Sequence, residues 1–119
     1  MSDGTLKLFA YLLLLQDPEP PVLIGIEEPE NGLYHQLLEP LALEIKHTAA
    51  GGPQIILTTH SPYLIDALQP FELWIMEKDE NGFSTVKSAA EIQSVEALHA
   101  EGISLGSLWY SNHLVRGNL

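Results

Sequence analysis

The 119-residue chain contains no cysteine, and only five of its residues are Lys or Arg. The first absence excludes a disulfide, a thiolate zinc site and a cysteine nucleophile, and it suits a cytoplasmic location. The second, set against 16 Asp and Glu, leaves a formal charge of −11. An acidic surface of this strength repels nucleic acid and anionic lipid at long range, so this chain alone is a poor candidate for nonspecific nucleic-acid binding. Long hydrophobic runs are also missing. The apolar block at residues 8–15 is far shorter than the ~20 residues that span a bilayer. Its flanks are wrong for a secretory signal, since Asp3 cancels Lys7 and the block ends in "QDPEPP" with no small-residue cleavage site. No membrane partner is expected.

What is present reads as alternating helix and strand. At 45% hydrophobic residues the chain can bury one modest core, within at most one domain. Residues 5–16 are apolar nearly all round, which predicts a buried helix capped by Ser2 or Asp3 and broken by the prolines at 18–21. "VLIGIEEPENGL" follows. Its apolar run, residues 22–26, ends at Glu27, Glu28 and Pro29, the pattern of a central parallel strand covered on both faces. Residues 54–59 repeat that pattern and end on Thr59-His60-Ser61-Pro62, where Ser61 can cap a helix that has Pro62 at its first position and runs to about residue 68. Between the strands, Leu37, Leu38, Leu41, Ile45 and Ala49 recur at helical spacing. Pro40 falls in the first turn of that helix, and Gly51-Gly52 ends it.

Strand, helix and strand make one right-handed crossover, which brings Glu27, Glu28 and His60 to the carboxyl edge of a sheet, where open α/β folds bind ligands. Singly, the two glutamates read equally well as solvated acids, and a lone histidine is more often structural. Their convergence on one edge favours a site. The remainder differs in character. Residues 71–77 and 83–87 predict a hairpin around Asn81-Gly82, with Phe71, Leu73 and Ile75 alternating with Glu72, Trp74 and Met76. Residues 89–99 and 104–113 look helical, broken at Gly102, with Leu108, Trp109 and Tyr110 as core or interface residues.

Three segments in this order, "SDGTLK", "LIGIEEPENGL" and "IILTTHSP", resemble the signature motif, the Walker B strand with its D-loop, and the H-motif of ABC-type ATPases of the SMC/RecF-like and OLD-like group, within the AAA-family ATPases. The resemblance is close over residues 2–70 and looser beyond. It implies an α/β fold, a partial P-loop NTPase with a parallel sheet, flanking helices, and a C-terminal β-hairpin plus helices. Residues 1–119 would be the distal half of such a domain, with the signature helix at 2–16, Walker B and D-loop at 22–34, the H-motif at 54–62, and hairpin and helical tail at 71–119. The implied ligands are ATP and Mg²⁺. Glu27 would hold Mg²⁺, directly or through water; Glu28 would be the general base or water-positioning group; His60 would contact the γ-phosphate. Ser2, Gly4 and Thr5, at a helix N-terminus, would face the γ-phosphate of ATP on an opposite subunit. Glu30, Asn31 and Gly32 would form a D-loop crossing a dimer interface. The sequence departs from the family by a Glu at 27 where most relatives have Asp, by Tyr34-His35 in place of His-Pro, and by the missing acidic end of the D-loop.

No G-x-x-x-x-G-K-[ST] occurs anywhere, and Lys7, Lys46, Lys78 and Lys87 stand in no Gly-rich loop. The expectation is therefore the distal half of a larger ATPase: a fragment, a truncated product or a split subunit. It would be inactive alone, with a Walker A half in the same or a separate chain and a second copy as its partners, and nucleic acid only through the complete protein. A missing half would leave a sheet edge and residues 6–15 partly uncovered. Two other readings stand beside this one. The chain could be a non-catalytic interaction or dimerisation module, or Glu27, Glu28 and His60 could bind a metal for phosphodiester hydrolysis. The last ranks lowest, because Asp66 and Asp79 fall away from that cluster.

Overall fold

The computed structural model describes residues 3–111. The chain divides into two compact units, Met1–Ala67 and Leu68–Leu119. In the first, helix α1 (Asp3–Leu15) leads to strand β1 (Leu23–Glu27). A 3-10 turn (His35–Leu37) then enters helix α2 (Leu38–Ala50), which is followed by strand β2 (Gln54–Thr58) and the single-turn helix α3 (Pro62–Ile65). β1 and β2 pair in parallel, from Leu23 opposite Gln54 to Glu27 opposite Thr58. This is the expected strand–helix–strand unit, an α/β arrangement with a small parallel sheet and flanking helices, compatible with a partial P-loop NTPase fold.

The core lies on one side of that sheet. Leu15, Ile24, Ile26, Leu41 and Ile45 form one buried cluster, and Leu38, Ala42 and Leu64 a second. α2 supplies Leu38, Leu41, Ala42 and Ile45, a stripe at helical spacing. Pro40 sits in its first turn, where the backbone N–H has no intrahelical partner to lose. Gly51 closes the helix, and Gly52 turns the chain at φ +136°, a conformation that favours glycine. The Thr48 hydroxyl donates to the Leu15 carbonyl (3.2 Å) and Lys46 Nζ to the Ala67 carbonyl (2.9 Å), tying α2 to the ends of α1 and α3. α3 is much shorter than its sequence suggests, ending at Ile65 rather than near residue 68.

Two expectations about burial are corrected. β1 is not a central strand covered on both faces: only Ile24 and Ile26 are buried, while Leu23, Gly25 and Glu27 face outward. Two strands with one covered face cannot bury the other, whatever their hydrophobicity. Nor is α1 a buried helix. Leu15 is buried, and Leu8 and Tyr11 pack beside the core, but Leu6 and Leu13 are 56% and 61% exposed and Phe9 is exposed as well. The unit offers α1 one surface, so an all-apolar helix keeps its other side in solvent. The partial exposure of residues 6–15 follows directly. No helix among the described residues is long and apolar enough to cross a membrane.

In the second unit, a 3-10 turn (Pro70–Glu72) precedes antiparallel strands β3 (Trp74–Lys78) and β4 (Ser84–Ser88). Another 3-10 turn (Ala89–Glu91) and helices α4 (Gln93–Ala100) and α5 (Leu105–Tyr110) complete it. The hairpin thus starts three residues later than its alternation suggests, because Pro70 and a capping box at Gln69 and Glu72 fold Phe71 into the 3-10 turn. The loop, residues 79–83, contains the expected Asn81-Gly82. Asp79 Oδ1 accepts the N–H groups of Asn81 (2.9 Å) and Phe83 (2.8 Å), and so organises the loop, with Gly82 at φ +83°. Ala89, Ile92, Val95, Leu105 and Leu108 are buried; Trp109 is half-buried and Tyr110 exposed. The predicted helical residues 112 and 113 lie outside the described region.

Leu41 is 1% exposed at the centre of the first unit. Leu41→Ala should lower unfolding free energy by about 2–5 kcal/mol, whereas Leu13→Ala on the open side of α1 should stay within about 0.5 kcal/mol of the parent. Denaturant unfolding of the two variants checks both values.

Candidate functional site

The site grows from the end of the parallel ladder. One residue past β1, the Glu28 N–H donates to both the Thr58 carbonyl (2.9 Å) and the Thr58 hydroxyl (3.2 Å). This last rung holds Glu28 at φ +41°, in the left-handed region that non-glycine residues seldom occupy. Pro29 follows and is fully buried, so the chain turns sharply inward just after the strand. The next residues form a tight turn in which the Asn31 N–H donates to the Glu28 carbonyl and the Leu33 N–H to the Glu30 carbonyl, both at 3.1 Å. Gly32 closes it at φ +83°.

The second loop is fixed by local bonds. The Ser61 N–H donates to Thr59 Oγ1 (2.9 Å), and Ser61 Oγ caps α3 by accepting the Leu64 N–H (3.4 Å), with Pro62 at the first helical position as expected. The His60 N–H donates to Glu30 Oε1 at 2.7 Å. These two loops bring Glu28 and His60 together: His60 Nε2 lies 3.0 Å from Glu28 Oε1, with the His60 side chain 81% exposed and that of Glu28 32%. Asn31 Nδ2 donates to the other Glu28 oxygen at 3.2 Å. A carboxylate has about four lone-pair positions, so these two contacts orient Glu28 and leave acceptor capacity for a water or hydroxyl proton.

α1 meets this edge through its first turns. Gly4 packs so closely on the turn at residues 31–33 that an added Cβ would stand 2.5 Å from the Gly32 carbonyl oxygen. Lys7 Nζ donates to the Asn31 carbonyl and lies 5.8 Å from the centre of the Tyr11 ring. Burial, with a smaller contribution from the Glu30 charge, pushes the Tyr11 hydroxyl above its ordinary pKa. His35 stacks on Tyr63 at 4.9 Å and 28° between planes, joining the 3-10 turn before α2 to α3.

The structure therefore gathers Glu28, His60, Asn31, Gly32 and Gly4 around one edge. Thr5 is exposed in the first turns of α1, and Ser2 lies outside the described residues. Glu27 ends β1 on the outward face beside Glu28. Among the described residues no group of three or more His, Asp or Glu could enclose a metal. Exposed glutamate oxygens do suit Mg²⁺ where one or two carboxylates share the ion with phosphate oxygens and water. An open groove of about 600 Å³, lined in part by Asp17, Glu44 and His47, lies at the opposite end of the strands and includes none of these residues.

Sequence reasoning missed Lys7 and Thr58, and gave Glu30 only a place in a loop. The Thr58-Thr59 doublet at a strand end was a usable signal for side-chain bonds to a neighbouring backbone. Lys7, the sole cation before Lys46, was another.

Residues 1–66, more than half of the chain, match the family described as "AAA domain, putative AbiEii toxin, Type IV TA system". No curated protein matches the chain.

Gly4→Ala should force α1 away from the turn at residues 31–33, because the obstructing atom is backbone rather than a flexible side-chain end. The expected cost is about 1–3 kcal/mol. It should come with amide chemical-shift changes concentrated at residues 31–33, read from ¹H–¹⁵N spectra of the two proteins.

Proposed function

The chain belongs to this family of AAA-type, ATPase-like nucleotide-binding domains, and on that premise we propose that it supplies the signature, Walker B and switch-histidine half of an ABC-type ATPase. The observation that carries the proposal is the 3.0 Å approach of His60 Nε2 to Glu28 Oε1, at the carboxyl ends of two paired parallel strands. In this reading Glu28 accepts or orients the proton of the attacking water. Asn31 keeps the Glu28 carboxylate in place from the other side. His60, mostly exposed, contacts the γ-phosphoryl group of ATP and stabilises the charge that develops there. Glu27 holds Mg²⁺, whose chemistry is to neutralise and align the phosphates. Gly32, with Gly4 and Thr5 at the start of α1 and with Ser2 before them in sequence, faces a nucleotide held by a second copy.

The gripping of phosphate is assigned to a P-loop outside these 119 residues, in a further stretch of the protein or in a separate chain, because no Walker A motif occurs within them. The exposed apolar side of α1, with Leu6, Phe9 and Leu13, supports pairing with that half or with a second copy. The same surface also supports a second reading, a dimerisation or interaction module that retains the ATPase half-fold without turnover.

The 119 residues alone should neither hydrolyse ATP nor bind Mg²⁺-ATP at micromolar concentration, as measured by phosphate release and calorimetry. Supplying a Walker A half in trans should produce turnover. Glu28→Gln should lower it by on the order of 100-fold while nucleotide binding persists, the loss expected for a general base. Turnover unchanged by Glu28→Gln would reduce Glu28 to a surface acid. Stable association with the Walker A half but no turnover would favour the interaction module.

A further inference from the structure

We propose that Glu30 is a positioning residue: by accepting the His60 backbone N–H, its carboxylate sets where the His60 imidazole meets Glu28. The imidazole needs such a support. Its side chain is 81% exposed, so packing does little to hold it, and its position follows the backbone beneath it. The neighbouring backbone N–H bonds, from Ser61 to Thr59 Oγ1 and from Leu64 to Ser61 Oγ, are local and shape the loop without tying its backbone to the neighbouring one. Glu30 joins the two. It sits two residues after Glu28 in a turn fixed by its own carbonyl, which accepts the Leu33 N–H, and it reaches across to His60 at 2.7 Å. A bond from a neutral N–H to an ionised carboxylate is stronger than one between neutral groups.

The second Glu30 oxygen supplies an independent argument. Oε2 is buried and, among the described residues, has no hydrogen-bond partner. An unmet buried acceptor is destabilising, and an apolar side chain of similar size would remove that cost. A carboxylate at this position is therefore poorly explained by packing, and its bond to the backbone of His60 accounts for it. Glu28 and Glu30 thus divide the work on His60: one meets the imidazole, the other holds the chain that carries it. The consequence for turnover rests on the ATPase reading given above; the geometric claim does not.

The test has two arms. In the first, amide hydrogen exchange and ¹H–¹⁵N spectra are recorded on the 119-residue chain and its Glu30→Gln and Glu30→Ala variants. The parent should show a downfield, slowly exchanging His60 amide. Glu30→Ala should speed its exchange on the order of tenfold, the protection of about one hydrogen bond, whereas Glu30→Gln, which keeps an acceptor oxygen, should retain most of it. Equal His60 exchange in the parent and Glu30→Ala overturns the proposal, and so does Glu30→Gln behaving like Glu30→Ala. If Glu30→Ala fails to fold, Glu30→Gln decides alone: slow exchange supports the proposal and fast exchange overturns it. In the second arm, with the Walker A half supplied, Glu30→Ala should lower kcat by on the order of 10- to 100-fold with KM for ATP unchanged, the signature of a misplaced group rather than lost binding. Glu30→Gln should restore most of the rate. A rise in KM with kcat intact overturns the positioning role. No turnover by the parent mixture overturns the ATPase reading instead, and the exchange arm still decides the role of Glu30.

Discussion

The rung between the Glu28 N–H and Thr58 is the constraint on which the site depends. The parallel ladder runs in register from Leu23–Gln54 to Glu27–Thr58, and this bifurcated bond extends it by one step. Because side chains alternate along a strand, a register slip of one residue would turn Ile24 and Ile26 out of the core and carry Glu28 away from His60. The buried cluster of Ile24, Ile26, Leu41 and Ile45 thus does more than stabilise the unit. It fixes, through strand register, the meeting of two side chains that lie outside it.

Beyond that rung the backbone is controlled by small local devices. Glu28 adopts a positive φ, and the proline after it disfavours the helical alternative. Gly32 permits the close of the turn, and Gly4 leaves room for the Gly32 carbonyl. The glycine of the "SDGT" stretch therefore has a packing role within the chain: it lets the N-terminal turn of α1 settle on the turn at residues 31–33, with the Lys7 bond to Asn31 alongside. Asn31 in turn bonds Glu28, so α1 connects to the central carboxylate through two side chains and one turn.

Much of this arrangement is legible in the sequence, for definite reasons. The strands announce themselves as short apolar runs stopped by charge or proline. α2 is visible in the spacing of Leu38, Leu41 and Ile45, and Ser61-Pro62 is a cap that depends only on adjacent residues. One crossover then brings Glu28 and His60 to the same edge. Burial is less legible. The block from Leu6 to Leu15 says that a helix prefers cover, not how much cover the rest of the unit can offer. Least legible are the bonds from side chains to distant backbone. Glu30 to His60, Thr58 to Glu28 and Lys7 to Asn31 have no periodicity and appear only once the two loops are side by side. The hairpin loop is a milder case, since Asn81-Gly82 is a true turn signal but Asp79 captures the N–H groups that decide its width.

The two-stranded parallel sheet carries one more consequence, for self-assembly. Among the described residues β1 and β2 pair only with each other, so each keeps a row of backbone amides and carbonyls open along its outer edge. Such edges template cross-β growth when they are long, flat and uncharged. Here each strand is five residues long, β1 follows Pro20-Pro21 and ends in glutamates, and β2 follows Pro53. These features shorten the edge and bias it against indiscriminate strand addition. What the edges can still accept is a strand of matching length and register, which makes the sheet selective about how it is extended.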